Sequence, residues 1–139
     1  MNLPPESRSA FITCAFSMLG KIASADGTVS PEEVERVSRY IDSELRLEPK
    51  LKAIALELFE DAASSPLELR DYADKFGTIF QDRVVLLDQL VQLLLEVSAA
   101  DGILDPREDK LVRSAALLLG LSEPAYERMK QKVFGQELN

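Results

Sequence analysis

Apolar residues recur at intervals of three and four positions along most of the chain. This spacing places hydrophobic side chains on one face of an α-helix. It is clear in the series Val34, Val37, Ile41 and Leu45. We find no convincing alternation of apolar and polar residues of the kind that marks a half-buried strand. The pattern therefore predicts an all-α fold.

Helix start and stop signals divide the chain into about seven predicted helices. Three starts share one pattern, in which a capping residue is followed by proline and, three positions after the cap, by glutamate. Glycine at the end of an apolar series is typical of a helix end, and we expect Gly120 and Gly135 to have this role. The predicted segments, caps included, are residues 6–23, 30–46, 48–63, 65–80, 82–99, 105–120 and 122–135.

The fifth predicted helix, residues 82–99, is apolar around most of its circumference. Its narrow polar stripe consists of Asp88, Gln89, Gln92 and Glu96. A helix that is apolar on nearly all sides has to be surrounded by other elements. We therefore expect this helix at the centre of the bundle.

One junction between helices occurs twice. ASADGTVSPEEVERV spans residues 23–37, and SAADGILDPREDKLV spans residues 98–112, 75 positions later. The similarity extends more weakly over residues 8–41 and 83–116. A repeated helix pair is a repeated packing unit, so we expect an internal pseudo-twofold arrangement.

Most of the repeated junction is explained by turn and cap chemistry. Gly27 and Gly102 supply the left-handed residue that ends the preceding helix. Val29 and Leu104 are expected to pack onto the core beside the next helix. The following Ser or Asp caps that helix, and proline begins it. This account leaves the aspartate before each glycine without a required role.

The unexplained aspartates suggest a cation site. Asp26 lies seven residues before Glu33, and Asp101 lies seven residues before Glu108. If internal symmetry brings the two turns together, four carboxylates converge, and a hard divalent ion such as calcium, magnesium or manganese relieves their repulsion. The spacing differs from that of an EF-hand loop. Turn and cap chemistry alone, a cation site and a protein contact all remain open.

Charge and composition narrow the possible functions. The chain has 139 residues, of which 46% are hydrophobic and 29% charged, as in an ordinary globular domain. A net charge of -8 without a basic stripe argues against nucleic-acid binding. The apolar runs are too short or too interrupted by charge for a membrane span. We expect one domain over residues 1–139, with the oligomeric state left open.

Histidine is absent and there is a single cysteine, Cys14. Serine–histidine and cysteine–histidine catalysis are therefore excluded, and a zinc site is disfavoured because zinc is bound mainly by cysteine and histidine. A lone cysteine on an apolar helical stretch is expected to be a buried hydrophobic residue in a reducing compartment. The sequence thus favours a cytoplasmic protein that is not an enzyme.

The third and fourth predicted helices carry two further groups of residues. Tyr72, Phe76 and Phe80 recur at helical spacing and are expected in the core. An acidic face comprises Glu57, Glu60, Asp61, Glu68, Asp71 and Asp74. This face is ordinarily a solvated surface, although it would also suit a basic partner.

The duplicated Ala-Asp-Gly…Glu junction, in an acidic all-helical chain, resembles the TerB-like family. That family includes the tellurite-resistance protein TerB and the N-terminal region of DjlA-type, DnaJ-like co-chaperones. The resemblance covers residues 6–135 and implies a helical bundle with internal pseudo-symmetry. It also implies a patch of acidic metal-binding residues, at Asp26, Glu33, Asp101 and Glu108.

The resemblance implies a non-enzymatic interaction module, serving stress response or the targeting of a DnaJ-like co-chaperone. A chaperone or stress-response component would be its protein partner. Residues 126–139 resemble the stretch that precedes a J domain, so we expect either a fragment that ends before such a domain or a stand-alone TerB-like protein. We expect no counterpart of the DjlA membrane anchor, so a location at the membrane is not carried over from the resemblance. The alternative function is a metal-dependent enzyme that uses the same carboxylates.

Overall fold

The computed structural model describes residues 4–24, 29–99 and 104–138, with side chains up to residue 134. Seven α-helices and no strands occur within these ranges, which confirms the all-α fold class. The helices are α1 Pro5–Ala23, α2 Pro31–Tyr40, α3 Pro49–Asp61, α4 Leu69–Phe80, α5 Val84–Ser98, α6 Pro106–Leu118 and α7 Glu123–Leu138. A π-helical turn, Ile41–Leu45, extends α2, and a 3₁₀ turn, Ala62–Ser64, extends α3.

The starts of α2 and α6 follow the predicted cap positions. The Ser30 hydroxyl accepts a hydrogen bond from the Glu33 N–H (3.2 Å), and the Glu33 carboxylate accepts one from the Ser30 N–H (3.0 Å). This reciprocal pair satisfies two backbone donors that the helix itself leaves without partners. In α6 the Asp105 carboxylate accepts from the N–H of Arg107 (2.8 Å), one position earlier than the equivalent bond in α2.

The predicted start of the fourth helix at Ser65 is wrong. The Ser65 hydroxyl instead accepts from the N–H of Leu67 (3.2 Å), which makes a local turn. The helix begins three residues later, with Glu68 as its cap. The Glu68 N–H donates to the Asp71 carboxylate (2.7 Å), so the expected type of capping box occurs at a later position.

Gly120 and Gly135, which were both predicted to end helices, behave differently. Gly120 has a φ of 98°, and its N–H donates to the Leu117 carbonyl while the Leu121 N–H donates to the Ala116 carbonyl. These bonds close the end of α6. The predicted end at Gly135 is wrong, because α7 continues to Leu138. Glycine ends a helix only where the chain turns left-handed, and within a helix it is tolerated at about 1 kcal/mol relative to alanine.

Helices α1 and α5 share the centre of the bundle. Helix α5 contacts α1, α2, α4, α6 and α7, and α1 contacts α3, α4, α5 and α6. The predicted central position of α5 is correct from Leu86 onward. Its first turn is an exception, since Val84 and Val85 are 64% and 67% exposed. Glu96, from the predicted polar stripe, accepts hydrogen bonds from Tyr40 of α2 and from Gln92.

The expected core residues are buried. Phe76 packs on Phe80, with ring centroids 4.6 Å apart, and Phe11 of α1 meets Phe76 at 5.5 Å. Cys14 is buried as predicted, and burial raises the pKa of its thiol. None of the described helices is both long enough and apolar enough to cross a membrane.

The structure describes the residues that flank the two turns of the repeated junction, but not the turns themselves. Val29 and Leu104, the paired apolar residues, both pack against the core as expected. Both Asp-Gly turns fall in residues 25–28 and 100–103, outside the described residues. The internal pseudo-twofold arrangement accordingly stays a prediction.

Candidate acidic cleft

The first turns of α2 and α6 line one cleft beside the end of α1. Glu33 comes from α2 and Glu108 from α6, each at the third position of its helix, and Ile22 and Ala23 of α1 form the apolar wall. The cleft has a volume of about 100 Å³. Two of the four predicted metal ligands, distant in sequence, are thus brought to one place in the fold.

A smaller cavity of about 10 Å³ adjoins this cleft on the core side. Glu33 and Glu108 line it too, together with the apolar side chains of Val37, Phe59 and Val97. Each of the two carboxylate side chains therefore borders the core as well as the cleft. Low-dielectric surroundings of this kind strengthen electrostatic interactions between neighbouring charged groups.

Asp26 and Asp101, the other two predicted ligands, lie in the turns outside the described residues. Their participation in the cleft stays a prediction. Each turn is joined directly to a helix whose first turn lines the cleft. In the sequence, Asp26 precedes Glu33 by seven positions and Asp101 precedes Glu108 by seven.

The cleft is not uniformly acidic. Asp105 and two cationic side chains, Arg36 and Arg107, also line it. The first turns of two helices meet here, and the positive end of the helix dipole favours acidic side chains at such positions. Carboxylates can therefore be stabilised in this cleft by protein groups alone. Neither arginine was predicted to belong to the site, since nothing in the spacing relates Arg36 or Arg107 to the Asp-Gly turns.

The geometry assigns Glu33 a definite structural role. Its carboxylate caps α2 by accepting from the Ser30 N–H, as the turn and cap interpretation requires. Among the residues described here, no three His, Cys, Asp or Glu side chains form a group that could hold a metal ion. A site that holds a cation with three or more carboxylates would therefore have to include Asp26 or Asp101, which lie outside those residues.

The family of this chain is identified by its similarity to known proteins. The sequence profile of the family described as "Tellurite resistance protein TerB" matches residues 13–131. The chain belongs to the TerB family. This match confirms the resemblance that rests on the duplicated Ala-Asp-Gly…Glu junction.

Relatives of this TerB-family chain include proteins named "Co-chaperone protein DjlA". The one from Haemophilus ducreyi is 27% identical over 130 residues, covering 94% of this chain and 45% of the relative. The one from Aliivibrio fischeri is 28% identical over 132 residues, covering 93% of this chain and 46% of the relative. The chain thus spans less than half the length of these curated relatives. No solved structure gives a significant match.

Proposed function

We propose that this TerB-family chain is a non-enzymatic protein-interaction module that targets a DnaJ-like co-chaperone to its site of action. The observation that carries the proposal is the match to DjlA co-chaperones. The match covers more than nine-tenths of this chain but less than half of the length of each co-chaperone. A match of that extent fits one separable module of a longer protein. The partner would be a chaperone or another component of a stress response.

The acidic cleft is also better suited to an ion or a contact than to catalysis on a metabolite. Its volume of about 100 Å³ is below the range of about 300–1,000 Å³ that is typical of small-molecule sites. The chain also has no histidine to act as a general base near neutral pH. Both features support a binding role.

A chimera tests the targeting function. The region of the Haemophilus ducreyi co-chaperone that aligns with this chain is replaced by the chain, and the fusion is expressed in a strain that lacks the co-chaperone. We expect the chimera to restore the co-chaperone-dependent phenotype, and a version without the aligned region to fail. A chimera that is folded and abundant but no better than the truncated version would refute the proposal.

We propose further that the duplicated turns bind a divalent cation through Asp26, Glu33, Asp101 and Glu108. The common cleft lined by Glu33 and Glu108 supports this, as does the preference of calcium, magnesium and manganese for oxygen ligands. The cation would join the starts of α2 and α6 and so make the geometry of this surface dependent on metal concentration.

Amide NMR spectra recorded during calcium, magnesium and manganese titrations test the cation site. We expect calcium or magnesium to shift, and paramagnetic manganese to broaden, the amide signals of Gly27 and Gly102, and both effects to disappear when Asp26→Asn and Asp101→Asn are combined. The matched control combines Glu57→Gln and Glu60→Gln on the exposed face of α3, and it should keep the shifts. Diffuse or absent shifts in the unaltered chain would leave the junction with its turn and cap role alone.

A further inference from the structure

An open groove of about 950 Å³ runs between the start of α4 and one face of α6. The α6 side chains that line it recur at intervals of three and four positions, which places them on a single face. They are Arg107, Lys110, Leu111, Ser114, Leu117 and Leu118. At 1.5 Å per residue this face extends over roughly 16 Å, or three helical turns.

The floor of the groove is apolar. Leu69 of α4 and Leu111 of α6 are half-buried and pack against the core. Leu117 and Leu118 continue the floor and are 42% and 37% exposed. Contiguous exposed leucines with a polar rim mark surfaces that bind another molecule.

The rim of the groove is basic, in contrast to the chain as a whole. Four cationic side chains and one carboxylate, that of Glu68, line it, whereas the whole chain carries a net charge of -8. The cations are Lys21, Arg70, Arg107 and Lys110. Lys21 donates to the Ser65 carbonyl (2.8 Å), and Arg107 lies 3.6 Å from the Asp105 carboxylate. Arg70, Arg107 and Lys110 are exposed, and of these three Arg107 also lines the acidic cleft.

We infer that this groove docks an acidic amphipathic helix of a partner protein, an inference that rests on the proposed role as an interaction module. A helix of three to four turns matches the length of the α6 face, and its aliphatic side chains would cover the exposed leucines. Aspartates and glutamates beside that apolar stripe would meet Arg70 and Lys110. Charge complementarity of this kind selects the partner and accelerates its association.

Other occupants fit less well. Anionic membranes and nucleic acids carry negative charge over a large area. Such a ligand would be repelled by the net negative charge of the whole protein, and not only attracted by the basic rim. A second copy of the chain could offer its acidic face, but of the residues in that face only Glu68 also lines the groove. Such a contact is head-to-tail, and it would build a ring or an open filament of several copies.

Selection from a displayed library of random peptides of about 16 residues, long enough to cover the α6 face as a helix, tests the inference without presupposing a sequence. We expect the enriched peptides to carry aliphatic residues at helical spacing and more Asp and Glu than the starting library. Binding of a labelled enriched peptide should weaken several-fold when the salt concentration rises from about 0.05 M to 0.5 M. Enrichment of basic peptides, or no enrichment, would overturn the inference.

Charge reversal on the rim locates the site. Arg70→Glu combined with Lys110→Glu should weaken peptide binding by at least about tenfold, because both attractive charges become repulsive. Neither residue lines the acidic cleft. The matched control, Arg39→Glu combined with Lys132→Glu, applies the same charge change at exposed positions away from the groove and should leave binding unaltered. Equal binding by the rim variant and the control would refute the site.

Two further measurements separate the alternatives. Sedimentation equilibrium should show no assembly that depends on Arg70 and Lys110, and co-sedimentation with phosphatidylglycerol vesicles should be absent. Assembly or vesicle binding that is lost in the rim variant would assign the groove to self-association or to lipid, against the inference. If the chimera restores the co-chaperone phenotype while the library yields no acidic peptide, the groove inference fails and the targeting function stands.

Discussion

Gly20 of α1 lies directly against the backbone of Phe59 in α3. A Cβ atom placed on Gly20 would overlap the Phe59 carbonyl oxygen and lie 2.7 Å from the Cβ of Ala62. Only glycine permits this close packing of α1 and α3. We expect Gly20→Ala to destabilise the protein by about 1–3 kcal/mol, since two helix backbones have to separate. Urea denaturation measures the change.

Gly77 provides the matched control for Gly20. It lies inside α4, and no atom comes within 4 Å of a Cβ placed there. Gly77→Ala should stabilise the protein by about 0.5–1 kcal/mol, because alanine loses less backbone entropy in a helix. Equal effects of the two substitutions would show that helix propensity, and not the approach to Phe59, determines the result at Gly20.

Replacement of Gly120 should weaken the end of α6. With φ at 98°, this position is unfavourable for a side chain, especially a β-branched one. Gly120→Val is expected to lower the free energy of unfolding by about 1–2 kcal/mol. Gly120→Asn should have a smaller effect, because asparagine tolerates left-handed conformations better. Thermal denaturation of both variants checks this order, and equal losses of stability would show that the turn relaxes to another conformation.

The same reasoning applies to the two turns of the repeated junction. Gly27→Val and Gly102→Val are each expected to destabilise by roughly 1 kcal/mol or more, if these glycines have positive φ. Both lie outside the described residues, so the melting temperatures of the variants are a direct test of the predicted turns. Wild-type melting of both variants would contradict the turn assignment.

Asp109 joins α6 to α7 and should make stability depend on pH. Partial burial acts to raise the pKa of Asp109, but hydrogen bonds from Tyr126 (2.7 Å) and Lys130 (3.1 Å) and the charges of Lys130 and Arg113 outweigh it and hold the pKa below its usual value. A carboxyl group with a lowered pKa stabilises the fold above its unfolded pKa, near 3.9. That contribution is lost as pH falls through the folded pKa.

Asp109→Asn should therefore destabilise by about 1–3 kcal/mol at pH 7, because hydrogen bonds to a charged group are lost. The variant and the wild type should converge as pH falls from about 5 to 2. Urea midpoints across this range measure the difference. Asp42→Asn is the control, since the Asp42–Lys52 pair is exposed and is expected to contribute less than about 1 kcal/mol. A constant gap between Asp109→Asn and wild type at every pH would contradict the assignment.

Tyr40 joins α2 to the central helix α5 through Glu96. Burial and the hydrogen bond to Glu96 raise the pKa of Tyr40 far above its usual value, so its hydroxyl remains a donor. Tyr40→Phe should destabilise by about 1–2 kcal/mol, because Glu96 is left with Gln92 as its donor. A double-mutant cycle with Glu96→Gln measures the pairing. A coupling energy near zero would show that the contact contributes little.

Much of the fold could be predicted because helical spacing and capping are local. Ser30 and Gly120 were assigned correctly, since a cap or a left-handed glycine acts on residues within one turn. The errors at Ser65 and Gly135 occurred where the local signal was ambiguous. Ser65 can cap a helix or close a turn, and Gly135 can end a helix or lie within one, and neither choice is visible in the neighbouring residues.

The sequence predicted one part of the candidate site, and the packing of the helices decided the rest. The duplicated junction placed Glu33 and Glu108 at equivalent positions of two helices. That both line one cleft depends on how α2 and α6 pack, and so does the presence of Arg36 beside them. The basic groove was not predicted at all, because Arg70 and Lys110 come from different helices and appear in the sequence as isolated charges.

The sequence by itself determined that the chain is helical, approximately where most of its helices begin and end, and that one helix junction occurs twice. These properties depend on interactions between residues a few positions apart. Tertiary structure alone decided that Gly20 is where two helices touch, that two distant glutamates share a cleft, and that cations from separate helices surround exposed leucines. Those relationships join residues far apart in sequence, and they arise only from the way that apolar helix faces fit together to exclude water.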